Sequence, residues 1–177
     1  MIRSVRAAFT VAAVSLAVSA TAAQAQIGFS IAGGPSFATG DFGEGLDMGY
    51  HAKVAASFSL PLLPIGLQAD GMWTRFDVSD TDDAKVQILN GSLNAVLNIP
   101  SVGITPYIIG GVGLYNTEID LGAFGSGKET DMGVNVGAGV RLGLPGLGGV
   151  FAEARLHNVF GDEDSYRFVP VSLGIRF

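Results

Sequence analysis

From Asp131 to Leu144 the chain keeps two separate alphabets at alternate positions. Met132, Val134, Val136, Ala138, Val140, Leu142 and Leu144 are apolar, whereas Asp131, Gly133, Asn135, Gly137, Gly139, Arg141 and Gly143 are small, polar or charged. A β-strand points successive side chains to opposite faces, so this period of two presents one apolar face and one polar face to two different surroundings. The last segment repeats it, with Val169, Val171, Leu173, Ile175 and Phe177 on one face and Pro170, Ser172, Gly174 and Arg176 on the other.

Segments of this type occur eight times, at about 27–38, 47–60, 65–77, 85–99, 104–118, 130–143, 150–160 and 166–177. The connections between them fall into two alternating classes. Pro61-Leu62-Leu63-Pro64, Pro100-Ser101-Val102-Gly103 and Pro145-Gly146-Leu147-Gly148-Gly149 are short and uncharged. The others are acidic, carrying Asp41 and Glu44; Asp80, Asp82 and Asp83; Asp120 and Glu129; and Asp162, Glu163 and Asp164. Strict alternation follows if each strand reverses direction, so that the two classes lie at opposite ends of an antiparallel up-and-down barrel. An even strand number brings both chain ends to the short-turn end.

Arg3 and Arg6 precede an apolar run from Ala7 to about Val18 and the small-residue stretch Ala23-Gln24-Ala25. These are the three parts of a secretory signal peptide, which divides the chain into a signal at 1–25 and one barrel domain at 26–177. The apolar run is too short for a spanning helix, which needs roughly 18 or more residues. Removing Arg3 and Arg6 leaves 8 Lys+Arg against 16 Asp+Glu, moving the formal charge from -6 to -8. So acidic a chain lacks the clustered cations that nucleic acid binding requires. Cysteine is absent, which excludes disulfides and thiol catalysis.

Two barrels share this pattern: a soluble one with its apolar face inward, and a membrane one with that face outward. The polar face decides between them. It is built largely of Gly, Ser, Ala and Asn with isolated charges, whereas a hydrated sheet surface carries dense charge, and only 15% of this chain is charged. Small residues suit a narrow interior where opposite walls meet. Phe37, Tyr50, Phe58, Trp73 and Phe177 lie near strand ends on the apolar face, as interfacial aromatic girdles do. The chain is therefore read as all-β, an eight-stranded antiparallel up-and-down transmembrane β-barrel following a signal peptide.

Thr105-Pro106-Tyr107-Ile108-Ile109-Gly110-Gly111-Val112-Gly113-Leu114, Gly137-Ala138-Gly139-Val140-Arg141, Phe151-Ala152-Glu153-Ala154-Arg155 and Val169 to Phe177 carry a resemblance. Over its whole mature length the chain resembles the small eight-stranded outer-membrane barrels of Gram-negative bacteria, the OmpX-like group. The resemblance implies an outer-membrane location, contact with lipid and lipopolysaccharide, and recognition of Phe177, with Ile175 two places earlier, by the barrel-assembly machinery. The glycine usual further upstream in that signal is Ser172 here, so the match is partial. Members serve in adhesion, serum resistance or envelope stabilisation; the short loops here weaken the case for a protein receptor surface.

With the apolar face toward lipid, His51, Lys53, Asp70, Asn94, Asn135, Arg141, Glu153, Arg155, His157 and Arg176 point into the lumen. Hairpin pairing predicts Glu153 between the guanidiniums of Arg141 and Arg176, and Lys53 beside Asp70. Lys53, Asp70, Arg141, Glu153, Arg155 and Arg176 are read as a structural polar cluster, since buried charges are viable when each has a partner. The competing reading is an ion path or catalytic site, and the structural one is preferred because eight strands enclose little more than their own side chains.

Arg155-Leu156-His157-Asn158-Val159 superficially resembles the His-x-Ser stretch of lipid A deacylases, but Val159 stands where the serine would be. His51 has no Ser or Cys arranged as its partner along the sequence. Neither acidic loop has the spacing of an EF-hand, so no metal or cofactor is assigned. In the fifth strand either Ile108, Gly110, Val112 and Leu114 face lipid, or Tyr107, Ile109 and Tyr115 do. The functional expectation is a non-enzymatic barrel serving envelope structure or surface interaction, with a narrow small-solute channel or exporter as the alternative and a lipid-modifying enzyme as a third class.

Overall fold

A computed structural model describes residues 26–59, 64–78, 84–120, 125–144, 148–161 and 164–177. The expected signal peptide at 1–25 lies outside the described residues, as do the tips of two short turns and the acidic residues Asp80, Asp82, Asp83, Asp162 and Glu163.

Eight strands form the chain: β1 (Gln26–Thr39), β2 (Gly49–Ser59), β3 (Ile65–Asp77), β4 (Lys85–Asn98), β5 (Ile104–Asp120), β6 (Ser126–Leu144), β7 (Gly148–Phe160) and β8 (Ser165–Arg176). Each pairs antiparallel with the next, and β1 pairs with β8, closing the barrel. Closure satisfies the backbone donors and acceptors that an open sheet would leave at its edges, and inside a bilayer no water is there to do it instead. Phe177 continues the seam: its N–H donates to Phe29 O at 2.9 Å, and the Phe29 N–H donates to Phe177 O at 2.8 Å.

The short connections and both ends of the described chain lie at one end of the barrel, here the turn end; the acidic connections lie at the loop end. Gly103 and Gly148, with φ of 85° and 86°, take the left-handed conformation that tight reversals need and that other residues resist.

The faces have the polarity read from the sequence. Val54, Leu67, Leu93, Val136 and Leu173 project outward and are exposed, whereas His51, Lys53, Asp70, Asn94 and Arg155 are buried inside. Strand β5 takes the first of its two alternatives. Ile108, Val112 and Leu114 face outward, and Tyr107, Ile109 and Tyr115 are buried. Packing decides this, because β6 offers Gly133 and Gly139 as the hollows in which the two tyrosine rings lie. A β-carbon at Gly139 would stand 2.5 Å from Tyr107 Cζ, and one at Gly133 would stand 2.7 Å from Tyr115 Cε2.

β5 and β6 run further than the alternation predicts, reaching Asp120 and starting at Ser126. Apart from Ile119 the extension is polar, so no apolar face marks it. It is held by cross-strand pairs instead: Lys128 Nζ lies 3.0 Å from Glu118 Oε2, and Asn116 Nδ2 donates to Thr130 Oγ1 at 2.8 Å.

Candidate functional site in the barrel interior

The middle of the interior is crossed by a chain of ionic hydrogen bonds linking walls far apart in sequence. Lys53 on β2 donates to Glu153 Oε1 on β7 at 2.5 Å. Arg155, two residues along the same strand, donates its Nε to the same oxygen at 2.7 Å and its Nη1 to Asp70 Oδ2 on β3 at 2.8 Å. Tyr107 donates its hydroxyl to the other Glu153 oxygen at 2.8 Å. Asp70 also accepts from Ser92 Oγ at 2.6 Å, Asn94 Nδ2 at 3.0 Å and Gln68 Nε2 at 3.0 Å. Asn135 donates to Asn94 Oδ1 at 2.8 Å, tying β6 into the same network. Desolvated charges persist when partners this close replace their water.

The pairing differs from the one that hairpin neighbourhood predicts. Glu153 lies between Lys53 and Arg155, not between Arg141 and Arg176, and Lys53 and Asp70 each bond to β7 instead of to one another. Register gives the reason. Lys53 stands opposite Met72 and Asp70 opposite Ala55, so the two are only diagonal neighbours. A barrel of eight strands is narrow enough for long side chains to reach the facing wall. Arg141 turns toward the turn end, where its Nη1 donates to Asn98 Oδ1 at 2.6 Å and its guanidinium lies 3.9 Å above the Tyr107 ring. Arg176 rests on Gly28, where a β-carbon would come within 2.7 Å of its Nε.

His51 corrects a second expectation, since it has serine partners on both sides. Ser36 Oγ is 3.0 Å from Nδ1, and Ser172 Oγ is 2.8 Å from Nε2. Those serines come from β1 and β8, the strands brought together only when the barrel closes. A serine hydrogen-bonded to histidine is the start of a nucleophilic site, yet here the three residues are 0%, 4% and 2% exposed, leaving no approach for a substrate. His157 is likewise enclosed: Tyr115 Oη is 2.8 Å from its Nδ1, and its ring stacks on Phe168 at 4.8 Å between centroids.

Toward the loop end the interior becomes aromatic. Phe76 and Phe168 meet edge to face at 6.2 Å, with Met72, Ile88, Tyr115 and Val159 around them. Phe42, carried by a 3₁₀ turn (Gly40–Gly43) after β1, folds over this cluster and packs on Phe76 at 6.1 Å and Tyr166 at 4.8 Å. Phe76 and Phe168 were legible in principle, because they share the parity of Asp70 and Ser172 on their own strands. Phe42 was not, since it lies between strands and no period governs it.

Ile175 and Phe177 lie on the outer face at the turn end and are exposed, as is Phe29. At the loop end Tyr50 and Trp73 meet edge to face at 5.6 Å on the same outer surface, and Trp73 Nε1 donates to Gln87 Oε1 at 3.2 Å. Aromatic residues thus mark both ends of an apolar outer band. Among the described residues no group of three metal-ligating side chains comes together.

An apolar exterior around a polar interior, closed without an edge, defines a transmembrane β-barrel of the bacterial outer membrane. Sequence comparison is more particular: residues 8–177 match the outer membrane protein beta-barrel domain, and the chain belongs to that family. Among solved structures it is similar to Neisserial surface protein A, at 16% identity and a TM-score of 0.70, covering 86% of this chain and 97% of that one. It is also similar to the N-terminal β-barrel domain of Pseudomonas aeruginosa OprF, at 18% identity and a TM-score of 0.54, covering 87% and 100%. The attachment invasion locus protein Ail of Yersinia pestis follows at 15% identity and a TM-score of 0.52, covering 88% and 99%. At these identities the likeness is one of fold. No curated protein matches the chain.

Proposed function

We propose that this protein is a non-enzymatic outer-membrane barrel whose interior is closed by its own side chains, and that it acts through its outer surface in envelope structure or surface interaction. The observation that carries this reading is the bonded chain from Lys53 through Glu153 and Arg155 to Asp70, which joins β2, β7 and β3 across the lumen. Lys53, Asp70, Glu153 and Arg155 hold the walls together, and the aromatic cluster beneath Phe42 closes the loop end. Similarity to a protein named for attachment and invasion supports a surface role.

In this reading residues 1–25 are a signal peptide removed on export, and 26–177 form the mature barrel. The turn end faces the periplasm and the loops face outward, by the general asymmetry of such barrels. The outer rim carries Asp41, Glu44, Asp120, Glu129 and Asp164, an acidic surface that meets lipopolysaccharide. Ile175 and Phe177, exposed beside the β1–β8 seam, present the terminal signal to the barrel-assembly machinery.

Reconstitution into planar bilayers tests the closed interior. The expected result is no steady unitary conductance at moderate voltage in salt solution. Reproducible steps would replace this reading with a narrow solute channel. Mass spectrometry of outer-membrane lipids with and without the protein should give identical profiles; an altered acyl pattern would return the serine-flanked His51 to consideration.

A further inference from the structure

Charge does not balance along the interior. From the middle to the turn end the inward-facing cations are Lys53, Arg141, Arg155 and Arg176, and the inward-facing side-chain carboxylates are Asp70 and Glu153. Lys53 and Arg155 neutralise those carboxylates directly. Neither Arg141 nor Arg176 makes an ion pair among the described residues. Both line one cavity of about 430 Å³ at the turn-end mouth, together with Asn98, Thr105, Ser59 and Phe177, whose carboxylate accepts from the Phe29 N–H at 2.8 Å and makes no ion pair with either arginine.

Two like charges gathered in one recess repel each other, and elsewhere in this interior each cation has been given a carboxylate. Arg141 is held in place by the Tyr107 ring and Asn98, and Arg176 by the hollow at Gly28. Their positions are therefore set before any ligand arrives, which lowers the cost of binding one. Guanidinium groups offer forked donors matched to phosphate and carboxylate oxygens, and a doubly charged group is the one that two of them neutralise. The hydroxyls of Ser59 and Thr105 supply further donors at the rim of the same recess.

We infer that the turn-end mouth is a binding site for a phosphate-type oxyanion, held between Arg141 and Arg176. The chemistry fits a soluble phosphate ester or the headgroup of an anionic phospholipid, and the site is independent of whether the interior above it conducts. The test uses the refolded protein in a phosphate-free, non-ionic detergent. Inorganic phosphate is titrated while side-chain Nε–H resonances of arginine and backbone amides are followed by NMR, with chloride matched in ionic strength.

Saturable shifts confined to Arg141, Arg176 and their neighbours are expected. Replacing either guanidinium, as Arg141→Gln or Arg176→Gln, should weaken binding about tenfold or more, the usual worth of a charged hydrogen bond. Arg141→Lys retains the charge and should bind better than Arg141→Gln. Boiling-dependent gel mobility establishes that each variant is folded, and the wild-type shift map stands alone if one is not. Absence of saturation in the wild type, or equal shifts at Lys85 and Lys128 toward the loop end, overturns the proposal. Doping the micelles with phosphatidic acid separates the sources: displacement of bound phosphate identifies a lipid headgroup, and its failure to displace identifies a soluble ester.

Discussion

The two halves of the barrel interior solve the same packing problem with opposite chemistry. Toward the turn end, charged and amide side chains reach across the lumen and bond to facing walls, as Lys53 does to Glu153 and Arg155 to Asp70. Toward the loop end, Phe76, Phe168, Tyr115 and Val159 pack without any charge, beneath Phe42. The ionic half depends on geometry, because a buried charge deprived of its partner keeps the whole desolvation penalty. The aromatic half depends on volume, since dispersion and apolar burial are indifferent to the identity of the neighbour. A single substitution should therefore be more damaging in the first half than a conservative one in the second.

The largest effect is expected at Arg155, which alone among the described residues bonds both Asp70 and Glu153. Arg155→Met leaves Asp70 buried without a cation and Glu153 with Lys53 as its one cationic partner, and should lower unfolding stability by about 3–5 kcal/mol. Urea unfolding of the protein in lipid vesicles, followed by tryptophan fluorescence of Trp73, measures it. Glu153→Gln should act in the same direction, leaving Lys53 and Arg155 facing one another; unchanged stability in both variants would mean that the ionic chain contributes nothing to holding the walls.

Filling a hollow should come next. In Gly139→Ala the new methyl would stand 2.5 Å from the Tyr107 ring and 2.6 Å from Ala152 O, which is backbone and cannot swing away. A loss of roughly 1–3 kcal/mol is expected in the same assay, and Gly91→Ala, where nothing stands within 4 Å, is the control that should change little.

Phe42→Ala tests the loop-end half more gently. Phe42 is half-buried and its removal should cost about 1–2 kcal/mol, within the range for exposing an aromatic side chain. Because the ionic chain still spans the lumen, bilayer conductance should remain nil. Conductance appearing in this variant would show that the aromatic half alone closes the barrel.

The smallest effect is expected outside the membrane, at the β5–β6 extension. Lys128 and Glu118 are exposed to solvent, so Lys128→Glu should change unfolding stability by less than about 0.5 kcal/mol. Hydrogen exchange of the amides of residues 126–130 is the sharper reading, and should speed up in the variant. These residues project past the end of β7, whose pairing with β6 begins at Met132. Lys128 and Glu129 there also discourage another strand from adding to the exposed edge.

Parity was legible in the sequence because it is local. Each strand needs only its own alternation to show that Val134 and Val136 share a face opposite Asn135 and Gly137. The same argument placed Lys53, Asp70, Glu153, Arg155 and His157 in the interior. It could not choose a face for β5, where Ile108 and Ile109 are both apolar and the hollows that admit Tyr107 and Tyr115 belong to another strand. Nor could it find the serines around His51, since Ser36 and Ser172 meet it only across the seam between the first and last strands.

The sequence by itself determined an all-β chain of eight antiparallel strands, the inward-facing residues of every strand but β5, and an apolar exterior. Those properties follow from the period of two and from the alternation of turn types, both read along the chain. The tertiary structure alone decided which inward charges become partners. That choice depends on strand register and on the distance across the lumen, so Glu153 pairs with Lys53 instead of Arg176, and two arginines are left together at the turn-end mouth.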